Sequence, residues 1–117
     1  MSSALALKIA AVLGGSGVAI GAFGAHGLKK IVREPERLHM WGTASRYQLI
    51  HAVALLAFAS SGRYSPYAVG LWTAGSIMFA GSIYCLVLGG DRFKVIAPIT
   101  PLGGLCMVAG WLSLLAL

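Results

Sequence analysis

The chain has 117 residues, is 58% hydrophobic and 10% charged, and carries a net charge of +6 with a mean hydropathy of +0.84. Water-soluble domains are about 45–50% apolar and about 25% charged, so this composition excludes a fold whose surface is covered by water and points to one that faces lipid. The positive charge does not indicate nucleic-acid binding, because the bases are mostly confined to short segments between apolar stretches, the pattern that marks membrane orientation and contact with anionic headgroups.

Runs without charge locate the predicted elements: Ile9–Leu28, Tyr64–Gly90 and Val95–Leu117. Each reaches the roughly 20 residues a helix needs to cross about 30 Å of hydrocarbon, and backbone in lipid must bond to itself. The fold expected is therefore all-α, one integral membrane bundle of four transmembrane helices near 5–28, 35–60, 65–89 and 98–116.

The first helix carries Gly14, Gly15, Gly17, Gly21, Gly24 and Gly27, with Gly17 and Gly21 in GxxxG spacing. Small residues let backbones approach where hydrophobicity cannot drive association. A signal-peptide reading would place cleavage near Ala22–Ala25; a permanent helix is expected instead. The second span is less clean, since Tyr47–Gly62 is too short alone and must begin earlier, taking Arg46 with it. Pro35 between Glu34 and Glu36 is a helix start, so one helix from about Pro35 to Ser60 is read, its first turns in the headgroup region.

The third helix holds Gly70, Gly75 and Gly81, and Gly89-Gly90-Asp91 reads as the turn that closes it. Pro98 and Pro101 open the fourth, which carries Gly103, Gly104 and Gly110. Of these glycines, Gly17, Gly21, Gly24, Gly81, Gly103, Gly104 and Gly110 are the expected packing positions. A proline inside the fourth helix would kink it. The two cysteines, Cys85 and Cys106, lie in apolar segments and read as small buried hydrophobes.

Lys29, Lys30, Arg33, Arg37, Arg92 and Lys94 fall on one side of these spans, and Lys8 and Arg63 on the other. The positive-inside rule puts both basic loops on the inner side and both termini outside.

The polar residues within the spans are His26, Arg46, Tyr47, Gln48, His51, Tyr84 and Thr100. At about 1.5 Å per residue, His26 lies about 3 Å from the inner boundary, Arg46, Tyr47 and Tyr84 about 8 Å, and His51 about 15 Å. A polar layer of His26, Arg46, Tyr47, His51, Tyr84 and Thr100 is thus expected. Three readings of it stay open. It could be a network fixing helix register, with Arg46 donating to carbonyls or to Tyr84 and His26 capping a helix end. It could be a site for a lipid headgroup or a quinone. It could be a proton or solute pathway, although the three acids, Glu34, Glu36 and Asp91, all lie in loops and such pathways usually use an intramembrane carboxylate.

His26 and His51 are too far apart in depth to ligate one haem, and His39, beside Met40 and Trp41, reads as an interface anchor. No catalytic set, zinc spacing or phosphate loop is present, so no catalytic residue, metal or cofactor is expected.

Several of these segments together resemble a known family. Residues 21–28 (GAFGAHGL), 47–52 (YQLIHA), 79–84 (FAGSIY), 99–104 (ITPLGG) and 109–111 (AGW) resemble the helix motifs of the YgdD-like proteins, domain of unknown function 423; the transmembrane-protein-256-like proteins of eukaryotes are similar. The resemblance spans essentially the whole chain. It implies a small four-helix membrane protein of the bacterial inner membrane, or of the mitochondrial inner membrane in a eukaryote, and brings no activity with it. The expectation is a non-enzymatic protein whose partners are membrane lipids and other membrane-protein subunits, an accessory subunit of a larger complex. A small transporter or channel, or a lipid- or quinone-binding protein, is the alternative.

Overall fold

A computed structural model describes residues 3–117. Four α-helices follow one another: α1 (Ser3–His26), α2 (Pro35–Ser60), α3 (Pro66–Gly89) and α4 (Ile99–Ser113). Short 3-10 turns follow α1 at Leu28–Lys30, lead into α4 at Gly90–Ile96, and end the chain at Leu114–Ala116. There is no strand among the described residues. The helix starts follow the sequence signals. Pro35 is the first residue of α2, behind an extended Glu34, where its missing N–H removes no bond. Pro66 opens α3, and the Ser65 hydroxyl caps it by accepting from the Ala68 amide at 3.4 Å, satisfying a donor the helix itself leaves free.

The loops are closed as specifically. Gly62, with φ +79°, turns the chain between α2 and α3, and Gly90, with φ +59°, ends α3, a backbone region that side chains with a Cβ rarely adopt. Arg37 of α2 reaches across to this end. Its Nη2 donates to the carbonyls of Val87 and, at 3.5 Å, Leu86, while Nη1 pairs with Glu34 at 2.7 Å. A guanidinium on the last carbonyls of a helix meets both their unfilled bonding capacity and the negative end of the helix dipole.

α1 packs on α2, α2 on α3 and α3 on α4, in a body 45 × 26 × 18 Å. Two apolar cores are stacked along its length. One joins Ala10 and Leu13 of α1, Leu55 and Phe58 of α2, and Val69 and Trp72 of α3. The other joins Leu28, Trp41, Ala44, Ala80, Ile83 and Val87. Large apolar side chains also cover the outside, among them Val12, Val18, Val53, Ile77, Leu105 and Leu112, a surface that suits hydrocarbon and not water.

Glycine sets the closest contacts, though not at all the expected positions. A Cβ on Gly103 would meet the Phe79 backbone nitrogen at 2.5 Å, and one on Gly75 the Gly103 carbonyl oxygen at 2.8 Å. The backbones of α3 and α4 therefore nearly touch, an approach that only small residues permit. Gly24 lies under the Trp41 indole and Gly110 under that of Trp72, where a Cβ would come within 2.4 and 2.6 Å of the ring. Gly17 lies under the flexible end of Leu49. Gly21 and Gly104 have ordinary van der Waals room, with nearest neighbours at 3.6 and 3.8 Å. Gly81 has nothing within 4 Å and is not a packing position; it faces outward, and Gly75, one residue short of two turns away, holds the contact instead.

Three helical stretches, Ser3–Lys30, Pro66–Ile96 and Ile99–Ala116, are long and apolar enough to cross a bilayer. α2 is the longest helix, at 26 residues, but Glu36, Arg37, Arg46, Gln48 and its histidines dilute its hydropathy. Of the four expected spans, α2 thus lacks the apolar character of the others.

Candidate functional site

Two buried polar side chains of α2, one turn apart, tie the four helices together. Gln48 is 4% exposed and lies between the two apolar cores. Its Nε2 donates to the Leu13 carbonyl and to the Ser16 hydroxyl of α1, both at 2.9 Å. Its Oε1 accepts from the Tyr84 hydroxyl of α3 at 2.7 Å. Both amide protons and the amide oxygen are thereby used, as a buried amide requires. The Leu13 carbonyl can only accept, which fixes which end of the amide faces α1.

His51, also 4% exposed, ties α2 to α4. Its Nδ1 lies 2.7 Å from the carbonyl of Tyr47 one turn earlier, and the Trp111 indole N–H donates to its Nε2 at 3.1 Å. A carbonyl accepts and an indole N–H only donates, so these partners select the neutral tautomer with the proton on Nδ1. The imidazole stands edge-on to Trp72 and Trp111, at centroid distances of 6.4 and 6.0 Å. The two indoles lie 4.7 Å apart, and Phe58 closes the cluster edge-on against Trp72. The Trp72 indole N–H, buried against Gly110, has no hydrogen-bond partner among the described residues.

Smaller ties flank these two. The Trp41 indole N–H donates to the Ile20 carbonyl at 2.9 Å, and its ring packs on Tyr84 and Phe23. Ser82 of α3 and Thr100 of α4 share a hydrogen bond.

The single polar layer expected from the sequence is therefore not what forms. His51, Tyr84 and Thr100 take part in interhelical ties. Tyr47 contributes its backbone carbonyl, while its ring is 41% exposed and rests on Phe79 at 5.1 Å. His26 is the exposed last residue of α1 and caps no helix. Arg46 is exposed and does not donate to Tyr84, whose hydroxyl is directed to Gln48. The physical reason is helix geometry: at about 100° per residue Arg46 lies nearly opposite the direction shared by Gln48 and His51, while Tyr47, about 40° from His51, stands at the edge of that inward face. Trp111, Trp41, Ser16 and Ser82 complete the ties and lie outside the layer expected from the sequence, although Ser82 and Trp111 stand in segments that carry the family resemblance. The spacing Trp41, Ser45, Gln48, Ala52, Leu55 carried the signal, since these buried residues recur every three or four positions along one face.

Among the described residues no group of His, Cys, Asp or Glu could hold a metal ion. Cys85 and Cys106 are free thiols. On the outside, an open groove of about 440 Å³ runs between α1 and α2, walled by apolar residues such as Val18, Leu49, Val53 and Leu56 and floored by Gly14 and Ala52.

The comparisons with known proteins agree with one another. The family described as "Protein of unknown function (DUF423)" matches residues 20–104. The chain is 37% identical to a UPF0382 membrane protein of Schizosaccharomyces pombe over 92% of this chain and 96% of that one. It is 38% identical to a UPF0382 membrane protein of Haemophilus influenzae, over 92% and 88% of the two chains. It is 35% identical to the UPF0382 inner membrane protein YgdD of Escherichia coli, over 98% and 89%. No solved structure matches.

Proposed function

The chain belongs to the DUF423 family, whose relatives are membrane proteins, and from that premise we propose that it is a non-catalytic, four-span protein of the inner or plasma membrane, an accessory subunit that stabilises a larger membrane complex. The observation that carries this reading is the full engagement of the two buried polar side chains that tie the helices. Gln48 has every amide hydrogen-bonding group engaged, and both ring nitrogens of His51 are occupied by neighbours. A transport path needs polar groups free to replace the hydration of what passes, and a catalytic site needs groups free to meet a substrate. These two are committed to holding helices in register.

Four spans are supported by the packing of α2. It lies against both α1 and α3 and is at least as long as either. At about 1.5 Å per residue its 26 residues extend about 39 Å, so its charged first turns can sit among headgroups while the rest crosses. The basic segments following α1 and α3 support an orientation with both loops on the inner side and both termini outside. Loops this short leave helix faces as the surfaces for recognition.

Extraction of native membranes with a mild detergent, followed by affinity purification, tests the reading. A second membrane polypeptide in fixed stoichiometry is expected. A single chain recovered alone from native membranes overturns it, as does solute or proton flux through the purified protein in liposomes.

A further inference from the structure

We propose that Arg46 and the outer groove between α1 and α2 form a binding site for an anionic glycerophospholipid, its phosphate on the guanidinium and an acyl chain in the groove. The inference does not depend on the accessory-subunit reading, since lipid binding is measured on the isolated chain.

Arg46 is the starting point. It lies eleven residues into α2, about 16 Å along its axis, and it is exposed, so it faces the surroundings of the bundle and not its interior. No hydrogen bond or ion pair engages it among the described residues. The chain's own acids offer no alternative. Glu34 is paired with Arg37, and Glu34, Glu36 and Asp91 all lie at or beyond the ends of the helices. An unpaired cation on a lipid-facing helix is costly, and it is relieved by extending toward the headgroups and by meeting an anion there. Side chains on a helix lean toward its N-terminus, which here aims the guanidinium toward the start of α2 and the side of the basic loops.

The groove supplies the second half. Leu49 and Val53 line it and lie three and seven residues beyond Arg46, hence on nearly the same face of α2. On α1 its inner limit is Val18. Gly21 of α1 faces Ser45 and Gly17 faces Leu49, so Arg46 stands level with the step between them, at the inner mouth of the groove. The floor is shallow because Gly14 and Ala52 meet there, a Cβ on Gly14 lying 3.7 Å from that of Ala52. No polar side chain lines the groove. A cation at the mouth and apolar walls beyond it match a molecule with an anionic head and a hydrocarbon tail, oriented as a lipid of that leaflet is. A planar fork of N–H donors suits a phosphate better than an ammonium does.

Native mass spectrometry tests the site. The purified protein in mild detergent is mixed with equal amounts of phosphatidylglycerol and phosphatidylcholine of the same chains, and the ratio of bound lipids is read. Phosphatidylglycerol should be preferred, and Arg46→Gln should cut the preference about fivefold, the effect of one basic residue near an anionic headgroup. Arg46→Lys should retain part of it. The double variant Lys29→Gln/Lys30→Gln removes twice the charge from the exposed loop and should cost less. Equal binding of the two lipids by the unmodified protein overturns the proposal, and so does a larger loss from the loop variant than from Arg46→Gln. The groove is tested separately by a photoreactive benzophenone amino acid in place of Val53, illuminated in native membranes. An adduct of lipid mass supports the site; an adduct to another polypeptide, or none, overturns it.

Discussion

The Trp111 indole N–H of α4 donates to the Nε2 of His51 of α2 at 3.1 Å, a side-chain bond between two helices that are not consecutive in the chain and meet mainly through α3. Trp111→Phe keeps the aromatic body and deletes the donor. The expected loss is about 0.6–1 kcal/mol, the range of interhelical hydrogen bonds in membranes. Unfolding of the detergent-solubilised protein by a denaturing detergent, run as a cycle with His51→Ala, should return coupling of that size. Zero coupling would mean that the indole and imidazole merely stack.

Gln48 holds two helices at once, so its loss should exceed that of either partner. Gln48→Leu keeps the side-chain volume and strands the Tyr84 hydroxyl and the α1 acceptors. It is expected to cost about 1–2 kcal/mol, against about 0.6–1 kcal/mol for Tyr84→Phe. The same unfolding measurement decides the order, and a Tyr84→Phe effect larger than that of Gln48→Leu would contradict the tie described.

Gly103→Ala pushes a methyl group onto the Phe79 backbone, where no side chain can move aside, and should destabilise by about 1–3 kcal/mol. Gly81→Ala meets open space and should be neutral or stabilising by up to about 1 kcal/mol through helix propensity. Comparing the two measures backbone contact between α3 and α4 with substitution chemistry held constant.

Arg37→Gln removes the cation from the final carbonyls of α3 and should cost about 1 kcal/mol. Hydrogen exchange of the Gly89–Phe93 amides, followed by mass spectrometry, should rise while the amides of Ile77–Ile83 stay protected. Uniform exchange along α3 would show that the guanidinium does not secure that end.

Orientation is open to direct measurement. With Cys85 and Cys106 replaced by alanine, a single cysteine at Gly62 should react with a membrane-impermeant thiol reagent added to intact cells, and one at Arg92 only after the membrane is opened. The reverse pattern would invert the proposed topology.

Much of this architecture was legible in the sequence, for reasons that particular residues make clear. The bounds read for α2, 35–60, are those observed, because Pro35 can sit only at a helix start and Gly62 adopts a backbone that stops one. The bounds read for α1, α3 and α4, 5–28, 65–89 and 98–116, lie within about three residues of those observed, Ser3–His26, Pro66–Gly89 and Ile99–Ser113. The facing of each helix was harder to read. In lipid both the buried and the outer faces are apolar, so periodicity carries little contrast. Arg46 is expected in the polar layer from its place within the span, yet the phase of α2 turns it outward and the uncharged Gln48 inward. Gly75 is one of four glycines on α3, and nothing in the sequence prefers it over Gly81; the choice depends on where α4 crosses.

The dilution of α2 bears on how the protein is made. Its neighbours are long and apolar enough to cross a bilayer, whereas α2, if it spans as proposed, would carry Arg46, Gln48 and His51 into it. The bonds that offset Gln48 come from α1, made before it, and from Tyr84 of α3, made after. On the proposed four-span arrangement, insertion should be ordered, with α2 held beside α1 until α3 emerges, and a ribosome stalled between them should leave a nascent chain that is still extractable from the membrane.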